Sequence, residues 1–303
     1  MHKINDFDRQ YGEQIVTEYV NGMSLKDLSK KYSVTTYLIK KVLNRYNINL
    51  RNMSEVSKAF HKDKTGEIGY CGRKYTLNEN AFDKINSKSA YILGFIYADG
   101  NIHKGQFTIA LQREDRHILE EIKEFLEFTG EVKDKEVKCN GKVCLISEIR
   151  LRSSILCEKL IELGVVENKS LVLEFPKFLE KKYYPDFIRG YFDGDGCFDC
   201  NYPLNKQRIR TKILQLRTRI NSGGYQFLEV IRDYLHQDCG LRNVKITKHK
   251  IYEIAYSTFD SIKLHDILYY SNTVMCLKRK REKYDKAVQQ RTINIQNQNQ
   301  NTR

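Results

Sequence analysis

The first 50 residues carry apolar side chains at helical spacing in three short runs. Ser24 stands at the expected N-cap of the second run, and Ser33-Val34 separates the second run from the third. The third run is basic at its outward positions Lys40, Lys41 and Arg45. Two short helices, a tight turn and a basic third helix predict a helix-turn-helix domain over residues 1–50, with a generic three-helix packing unit as the alternative.

The polar pattern marks two segments outside the main globular part of the chain. Residues 51–80 are polar and basic and contain glycine, which predicts a basic linker. Residues 287–303 include the low-complexity run QNQNQN, which predicts a disordered polar tail. The segment between them, 81–286, has the apolar periodicity of a packed domain.

Residues 81–286 contain an internal repeat, whose halves are predicted to span 81–184 and 185–286. Each half opens with an apolar run that ends in Asp-Gly, AYILGFIYADGNI in the first and DFIRGYFDGDGCF in the second. Alternating strands and amphipathic helices then follow in the same order, αββαββα, in both halves. This pattern predicts an α+β fold of two pseudo-symmetric half-domains, each with a half-exposed antiparallel sheet that is covered by helices on one face.

The net charge indicates the kind of partner. The chain has 303 residues, with 52 Lys and Arg against 38 Asp and Glu and a formal net charge of +14. This excess suits a polyanion such as DNA or RNA, and a basic protein without such a partner is the alternative. No run approaches the roughly 18 apolar residues of a membrane span, and no signal peptide opens the chain. We therefore expect a cytoplasmic location, in a bacterium or from a phage gene, or an organellar one.

The eight cysteines are expected to be reduced thiols, most of them small apolar core residues. Cys197 and Cys200 form a Cys-x-x-Cys pair, but a structural zinc site needs four ligands and no second pair stands at matching spacing. Metal binding by this pair is thus disfavoured, and the sequence leaves the question open.

The repeated apolar runs predict a helix interface that ends in two acids. Small residues stand four apart in both runs, Gly94 and Ala98 in the first and Gly190 and Gly194 in the second. Small residues at this spacing lie on one helix face and let two backbones approach closely. Asp99 and Asp195 would then emerge side by side, where Mg²⁺ or a similar cation such as Mn²⁺ is the natural neutraliser. Carboxylate-bound metal beside a basic sheet is typical of phosphodiester cleavage.

The runs ILGFIYADG and IRGYFDGDG resemble the two motif copies of the LAGLIDADG homing endonuclease family. The resemblance covers about residues 81–286. It implies a DNA-binding saddle that makes metal-dependent double-strand breaks in a long DNA target, as enzymes of mobile introns do. It also implies that the metal is bound by Asp99 and Asp195 and by the backbone carbonyls of Ala98 and Gly194.

Two positions depart from the family pattern. Tyr97 stands in the first copy where many members have an acid, although not the principal metal ligand. Arg189 stands in the second copy at a usually small position, and we expect it to point sideways toward solvent or DNA.

The resemblance further implies a basic residue near each acid. Lys169, in GVVENKSLVLEFP, matches this lysine in the first half, and Lys278, in MCLKRKREKY, is the nearest comparable residue in the second half by a looser alignment. A lysine near a scissile phosphate stabilises developing charge or helps to activate water. For both residues the alternative is a solvated surface lysine.

On the implied saddle, exposed strand side chains would read the major groove or bind phosphate. The candidate strand contacts are Gln112, Arg150, Arg152, Arg208, Arg210, Gln215, Arg217 and Arg219. Lys40, Lys41 and Arg45 of the helix-turn-helix would extend the recognised site. Because one chain holds both motif copies, we expect a monomer bound to double-stranded DNA.

The family also contains inteins, RNA maturases and inactive regulators. An intein is disfavoured by the opening Met, by the missing terminal His-Asn and by a helix-turn-helix in place of splicing blocks. A maturase bound to its own intron RNA uses the same fold and stays open. A regulator that binds DNA without cutting it needs no paired acids, which disfavours that alternative.

Overall fold

The computed structural model describes residues 2–50, 75–139, 141–165, 173–202 and 214–301. The chain forms two compact units, Met1–Lys74 and Tyr75–Arg303, and each has its own hydrophobic core. Among the described residues, no helix combines the length and the apolar content that a membrane crossing requires.

Within residues 2–50, the N-terminal unit contains the helices α1 (His2–Val20), α2 (Leu25–Lys31) and α3 (Thr36–Arg45). Ser24 caps α2 as expected, since its hydroxyl accepts a hydrogen bond from the backbone N–H of Asp27. The turn before α3 places Ser33 at a φ of 51°. The hydrophobic core among residues 2–50 contains Ile15, Tyr19, Leu28, Ile39, Val42 and Leu43. The predicted order of two helices, a tight turn and a third helix is therefore present, and DNA binding by this unit stays a prediction.

The first half of the larger unit has the element order αββαββα. Its elements are α4 (Ser87–Asp99), β1 (Asn101–His103), β2 (Gln106–Gln112), α5 (Arg116–Phe125), β3 (Lys133–Cys139), β4 (Lys142–Arg152) and α6 (Ser154–Glu162). A short 3-10 helix, Arg113–Asp115, precedes α5. The strands form an antiparallel sheet in the order β1-β2-β4-β3.

The second half repeats this order. Its elements are α7 (Tyr184–Asp195), β5 (Gly196–Asn201), β6 (Gln215–Ser222), α8 (Tyr225–Gln237), β7 (Thr247–Lys248), β8 (Tyr252–Ser257) and α9 (Thr258–Leu268). A 3-10 helix, Lys181–Tyr183, leads into α7, and a long helix, α10 (Lys278–Asn301), follows the repeat. The sheet order β5-β6-β8-β7 matches that of the first half, so the predicted α+β fold of two pseudo-symmetric half-domains is confirmed.

The two motif helices, α4 and α7, pack backbone against backbone. A Cβ atom added to Gly94 would lie 2.0 Å from the carbonyl oxygen of Phe187, and one added to Gly190 would lie 2.0 Å from that of Tyr91. A helix-interior glycine costs about 1 kcal/mol relative to alanine, and this close approach offsets the cost. The expected helix interface is therefore present, and it joins the two halves into one continuous core.

Each sheet has an inner face against helices and a polar outer face. In β2 the inner residues Phe107, Ile109 and Leu111 are buried, and in β6 the inner residues Leu216, Thr218 and Ile220 are buried. The residues between them point to the outer face, because side chains alternate along a strand. The predicted strand alternation is confirmed in both sheets.

Two predicted segment boundaries differ from the structure. Residues 75–80, assigned to the linker, belong to the first half, since the N–H of Asn78 donates to the carbonyl of Leu126 at 2.7 Å. The tail expected to be disordered from 287 onward is helical through Asn301. Ala287 is buried and Arg291 donates to the carbonyl of Leu214, so packing against the second half holds this polar sequence in a helix.

Candidate active site at the ends of the motif helices

Both motif helices end at an acid and turn at once into the first strand of a sheet. Asp99 and Asp195 are the last residues of α4 and α7, and both are exposed. The glycine after each acid, Gly100 or Gly196, has extended backbone. A Cβ on Gly196 would lie 2.0 Å from the ring of Phe192, so this sharp turn requires glycine. The two sheets therefore begin where the two acids lie.

The helix contact brings the two acids into one location. A Cβ on Gly194 would lie 2.3 Å from the Cβ of Ala98 and 3.0 Å from Oδ2 of Asp99, which explains why this position is glycine. Tyr191 lies one helical turn before Asp195. Burial and the negative charges of Asp195 and Asp99 raise the pKa of the Tyr191 hydroxyl above its ordinary value. One buried hydroxyl thus lies in the field of both carboxylates.

A lysine from α10 binds the end of the second motif helix. Lys280 Nζ donates to the carbonyl oxygens of Phe192, Asp193 and Gly196 at 2.7, 2.8 and 2.7 Å. An ammonium group has three N–H donors, and these bonds use all three. Its charge complements the negative end of the helix dipole. Burial lowers the pKa of Lys280, and the negative charges of Asp193 and Asp99 oppose this effect.

Asp193 is the other acid of the α7 motif, and it is buried whereas Asp195 is exposed. It is 1% exposed, and its carboxylate accepts hydrogen bonds from the hydroxyls of Tyr91 and Tyr269 and from the N–H of Leu277, at 2.9, 2.7 and 2.8 Å. Burial raises the pKa of Asp193, and these three donors and the charge of Lys280 oppose the increase. Tyr91 belongs to α4 and Leu277 directly precedes α10. Asp193 therefore joins both motif helices to the segment that carries Lys280.

The prediction that Arg189 points toward solvent or DNA is wrong. Arg189 is 1% exposed and lies over the ring of Tyr91, with 5.1 Å from the guanidinium carbon to the ring centroid. Its guanidinium donates to the carbonyls of Met275 and Leu268, both at 2.9 Å, and to the carboxylate of Asp186 at 2.7 Å. The end of α9 and the segment after it supply the two carbonyls, and their position is a tertiary feature that the motif pattern does not contain.

Tyr97 occupies in the first motif the position that Asp193 occupies in the second. It is buried, and its hydroxyl donates to the carbonyl of Leu163 at 2.5 Å. Both residues thus bind the chain that follows the last helix of their own half, α6 or α9. The departure at Tyr97 leaves the exposed acid Asp99 in place.

The lysine that binds the end of α7 is Lys280, which is neither of the two lysines predicted beside the acids. Lys169 lies outside the described residues, and Lys278 is exposed as the first residue of α10. Lys280 lies three residues after Leu277 and four before Tyr284, both of which are buried. Residues at these spacings share one helix face. Helical periodicity within MCLKRKREKY was therefore the signal for Lys280, and the loose alignment missed it.

The described strand residues predicted to contact DNA all lie on the outer sheet faces. They are Gln112, Arg150 and Arg152 on the first sheet and Gln215, Arg217 and Arg219 on the second. Arg208 and Arg210 fall outside the described residues. A groove along β5, β6 and β8 is also lined by Arg242 and Arg291, whose place on this face no strand pattern indicates.

In the N-terminal unit, Lys40 and Lys41 are exposed on α3 as predicted. Arg45 instead forms an ion pair with Asp8 at 2.7 Å, which engages it within the unit. Tyr37 on the same helix is 65% exposed, and Lys41 Nζ lies 5.1 Å from the centroid of its ring. The exposed face of α3 is thus basic and partly aromatic.

The acid pair fits a hard divalent cation. Carboxylate oxygens are ligands that Mg²⁺ prefers, and Mg²⁺ is commonly bound by one or two carboxylates together with water and substrate phosphate. Within the described ranges, no cluster of three or more His, Cys, Asp or Glu side chains forms a self-contained metal site. Cys197 and Cys200 are partly buried free thiols. Two exposed acids beside a phosphate would suit a cation that binds together with its substrate.

The second half of the repeat matches the model of a known protein family. Residues 188–290 match the model described as LAGLIDADG endonuclease. This range includes the second motif from Ile188, the second sheet and Lys280.

Two curated relatives come from Methanocaldococcus jannaschii. The chain is 30% identical over 131 residues to the DNA-directed RNA polymerase subunit Rpo1C, which covers 40% of this chain and 15% of the relative. It is 24% identical over 242 residues to reverse gyrase, which covers 80% of this chain and 13% of the relative. The chain thus spans about one seventh of the length of these relatives.

Solved structures with a similar fold include two LAGLIDADG nucleases. One is the meganuclease I-AabMI bound to uncleaved DNA, with 16% identity, a TM-score of 0.45 and coverage of 69% of this chain and 91% of that chain. The other is I-SmaMI bound to uncleaved DNA with calcium ions, with 17% identity, a TM-score of 0.47 and coverage of 72% and 93%.

The match over residues 188–290 includes the second motif from Ile188 and the sheet that follows it. The first half repeats the same order of elements and carries the first motif copy, packed against the second. The second half of this chain therefore matches the LAGLIDADG endonuclease family, and the first half resembles it in motif and in order of elements.

Proposed function

We propose that this chain is a site-specific homing endonuclease that cuts both strands of a long double-stranded DNA target with Mg²⁺ or a similar divalent cation. The observation that carries the proposal is the pair Asp99 and Asp195 at the ends of two helices packed backbone to backbone. The acids lie where two sheets with basic outer faces begin. Because one chain supplies both acids, the enzyme acts as a monomer.

Asp99 and Asp195 would hold the cation, together with the backbone carbonyls of Ala98 and Gly194. A bound divalent cation supplies Lewis-acid stabilisation of the phosphate and lowers the pKa of a bound water. Lys280 contributes positive charge beside the acids, which stabilises the charge that develops on the phosphate. Lys169 remains the proposed basic residue of the first half, and in the second half Lys280 would supply the positive charge proposed for Lys278.

The outer sheet faces would bind and read the DNA. Gln112, Arg150, Arg217 and similar side chains are long enough for base-edge or phosphate contacts. The N-terminal unit would add phosphate and groove contacts through Lys40 and Lys41, which lengthens the recognised site. Phosphate contacts release counterions, so affinity should fall steeply as salt rises.

The proposal can be tested without knowledge of the natural target. A double variant, Asp99→Asn with Asp195→Asn, is used to select bound duplexes from a random DNA library, and the wild-type chain is then given the selected duplex with Mg²⁺. We expect cleavage of both strands at a fixed position, none in EDTA and none on a shuffled duplex. Selective binding without cleavage would instead identify a DNA-binding regulator. The absence of any selected duplex would leave RNA as the polyanion to examine.

A further inference from the structure

Among the described strand residues, a glutamate stands between cationic side chains on the outer face of each sheet. Glu148 on β4 and Glu253 on β8 hold equivalent positions, because each directly precedes an isoleucine that pairs with an isoleucine of the neighbouring strand. These pairs are Ile149 with Ile109 and Ile254 with Ile220, and all four side chains are fully buried. Successive side chains point to opposite faces of a strand. Both carboxylates therefore face outward, on the surface proposed to meet DNA.

Glu148 joins two cationic side chains of the first sheet. Its Oε1 accepts hydrogen bonds from Lys135 Nζ at 2.7 Å and from Arg150 Nη2 at 3.2 Å, and its side chain is only 11% exposed. Partial burial raises the pKa of Glu148, but the bonds from Lys135 and Arg150 outweigh it and leave the pKa below its ordinary value. Glu148 is therefore a carboxylate at neutral pH.

Glu253 likewise joins two cationic side chains of the second sheet. Its Oε1 lies 3.2 Å from Arg217 Nη2 and its Oε2 lies 3.7 Å from Arg219 Nη1, and its side chain is also 11% exposed. Arg219 is further bound by Asp199 and by the thiol of Cys197. Arg217 and Arg219 are thus held by acids of their own sheet and have defined positions before any partner arrives.

The placement of these acids has an electrostatic cost for a protein that binds a polyanion. A carboxylate on the binding face repels phosphate and weakens attraction to DNA of any sequence. The same carboxylate fixes two long side chains, each of which otherwise loses rotamer entropy when it is ordered on binding. Ordering the side chains in advance reduces this loss on binding only where the DNA presents its acceptors at matching positions.

We propose that Glu148 and Glu253 are specificity-determining residues. Each holds two cationic side chains in one arrangement and lowers the affinity for DNA whose bases and phosphates do not match it. Specificity is a difference between two affinities, and a repulsive group raises it by weakening the wrong complex more than the right one. The proposal rests on the proposed function, because it requires a preferred DNA sequence.

The test compares Glu253→Gln with the unchanged chain. Affinities are measured by fluorescence anisotropy in an Asp99→Asn background without cleavage, on the selected duplex and on a shuffled duplex of the same composition. We expect binding to the shuffled duplex to tighten about fivefold, the effect of one removed repulsion at close range. Binding to the selected duplex should tighten less, so the ratio of the two affinities falls. The salt dependence on the shuffled duplex should steepen by roughly one unit, as for one additional phosphate contact.

Two further variants separate the causes. Glu158→Gln makes the same change in net charge on the exposed surface of α6, away from the outer sheet face, and should leave the ratio unchanged. Glu253→Asp keeps the charge but shortens the side chain, so the shuffled duplex should bind as before and the selected duplex more weakly. Glu148→Gln repeats the main test in the other half if Glu253→Gln fails to fold.

The proposal is overturned if Glu253→Gln or Glu148→Gln leaves the affinity ratio unchanged, or lowers it only through weaker binding of the selected duplex. A chain with intact glutamates that shows no preference for the selected duplex would instead contradict the proposed function itself. The two failures are therefore distinguishable in one set of measurements.

Discussion

Replacement of Gly94 by alanine tests the backbone contact between the motif helices. The added Cβ would lie 2.0 Å from the carbonyl oxygen of Phe187, 2.9 Å from its carbonyl carbon and 3.0 Å from the backbone nitrogen of Tyr191. Carbon atoms in ordinary contact are separated by about 3.5 Å. The obstacle is backbone and cannot rotate away, so the helices must separate by more than about 1 Å.

The expected cost follows from this separation. Overpacking of a well-packed core typically costs about 1–3 kcal/mol, occasionally more. A gap of about 0.5–1 Å also forfeits roughly a quarter to a half of each dispersion contact across the interface. The higher helix propensity of alanine offsets about 1 kcal/mol of this cost. We therefore expect a net loss of about 2–3 kcal/mol of unfolding free energy, at the upper end of the overpacking range.

Urea and thermal unfolding measure this loss. A loss of this size should lower the melting temperature by roughly 5–10 °C for a domain of this length. Gly190→Ala should behave alike, because its Cβ would lie 2.0 Å from the carbonyl oxygen of Tyr91. Asp99→Asn, at the exposed end of the same helix, is the control and should melt as the unchanged chain does. A Gly94→Ala chain that is as stable as the original, or more stable, would refute the close packing.

Three other perturbations have defined outcomes. Lys280→Met removes three hydrogen bonds from the end of α7, and it should reduce the single-turnover cleavage rate at least about tenfold. Lys278→Met, at an exposed residue, should leave this rate unchanged. Equal effects of the two substitutions would exclude a special role for Lys280. Asp193→Ala leaves three buried donors without their acceptor. It should lower the free energy of unfolding by about 3 kcal/mol, measured from the urea midpoint. An unchanged midpoint would show that the donors find other partners. Deletion of residues 1–50 should weaken target binding and make it less dependent on salt, while metal-dependent cleavage persists. Equal binding by both chains across a range of salt would show that the N-terminal unit does not contribute to target binding.

The fold was largely predictable because its strongest signals are local. Helical spacing of small residues placed Gly94 and Gly190 at an interface, and strand alternation placed Gln112, Arg150 and Arg217 on the outer faces. The same order of elements in both halves then required a pseudo-symmetric arrangement. Each of these inferences needs only the geometry of one helix or one strand.

The features that sequence missed depend on tertiary packing. Arg189 appeared to be a surface residue because the carbonyls of Leu268 and Met275 that bind it are about 80 residues away in sequence. The polar sequence of α10 indicated disorder, yet Tyr284 and Ala287 anchor it on the second half. Lys280 was overlooked in favour of Lys278 because adjacent basic residues look equivalent until the buried face of the helix is known.

The central claim is that Asp99 and Asp195 are the groups on which DNA cleavage depends. The most direct test measures binding and double-strand cleavage of the selected duplex in Mg²⁺ for Asp99→Asn and for Asp195→Asn. Each substitution keeps the side-chain volume at an exposed helix end and removes a negative charge that would face phosphate. We predict that both variants bind the duplex as tightly as the unchanged chain, or more tightly, and make no double-strand breaks. Cleavage by both variants at the original rate would contradict the account.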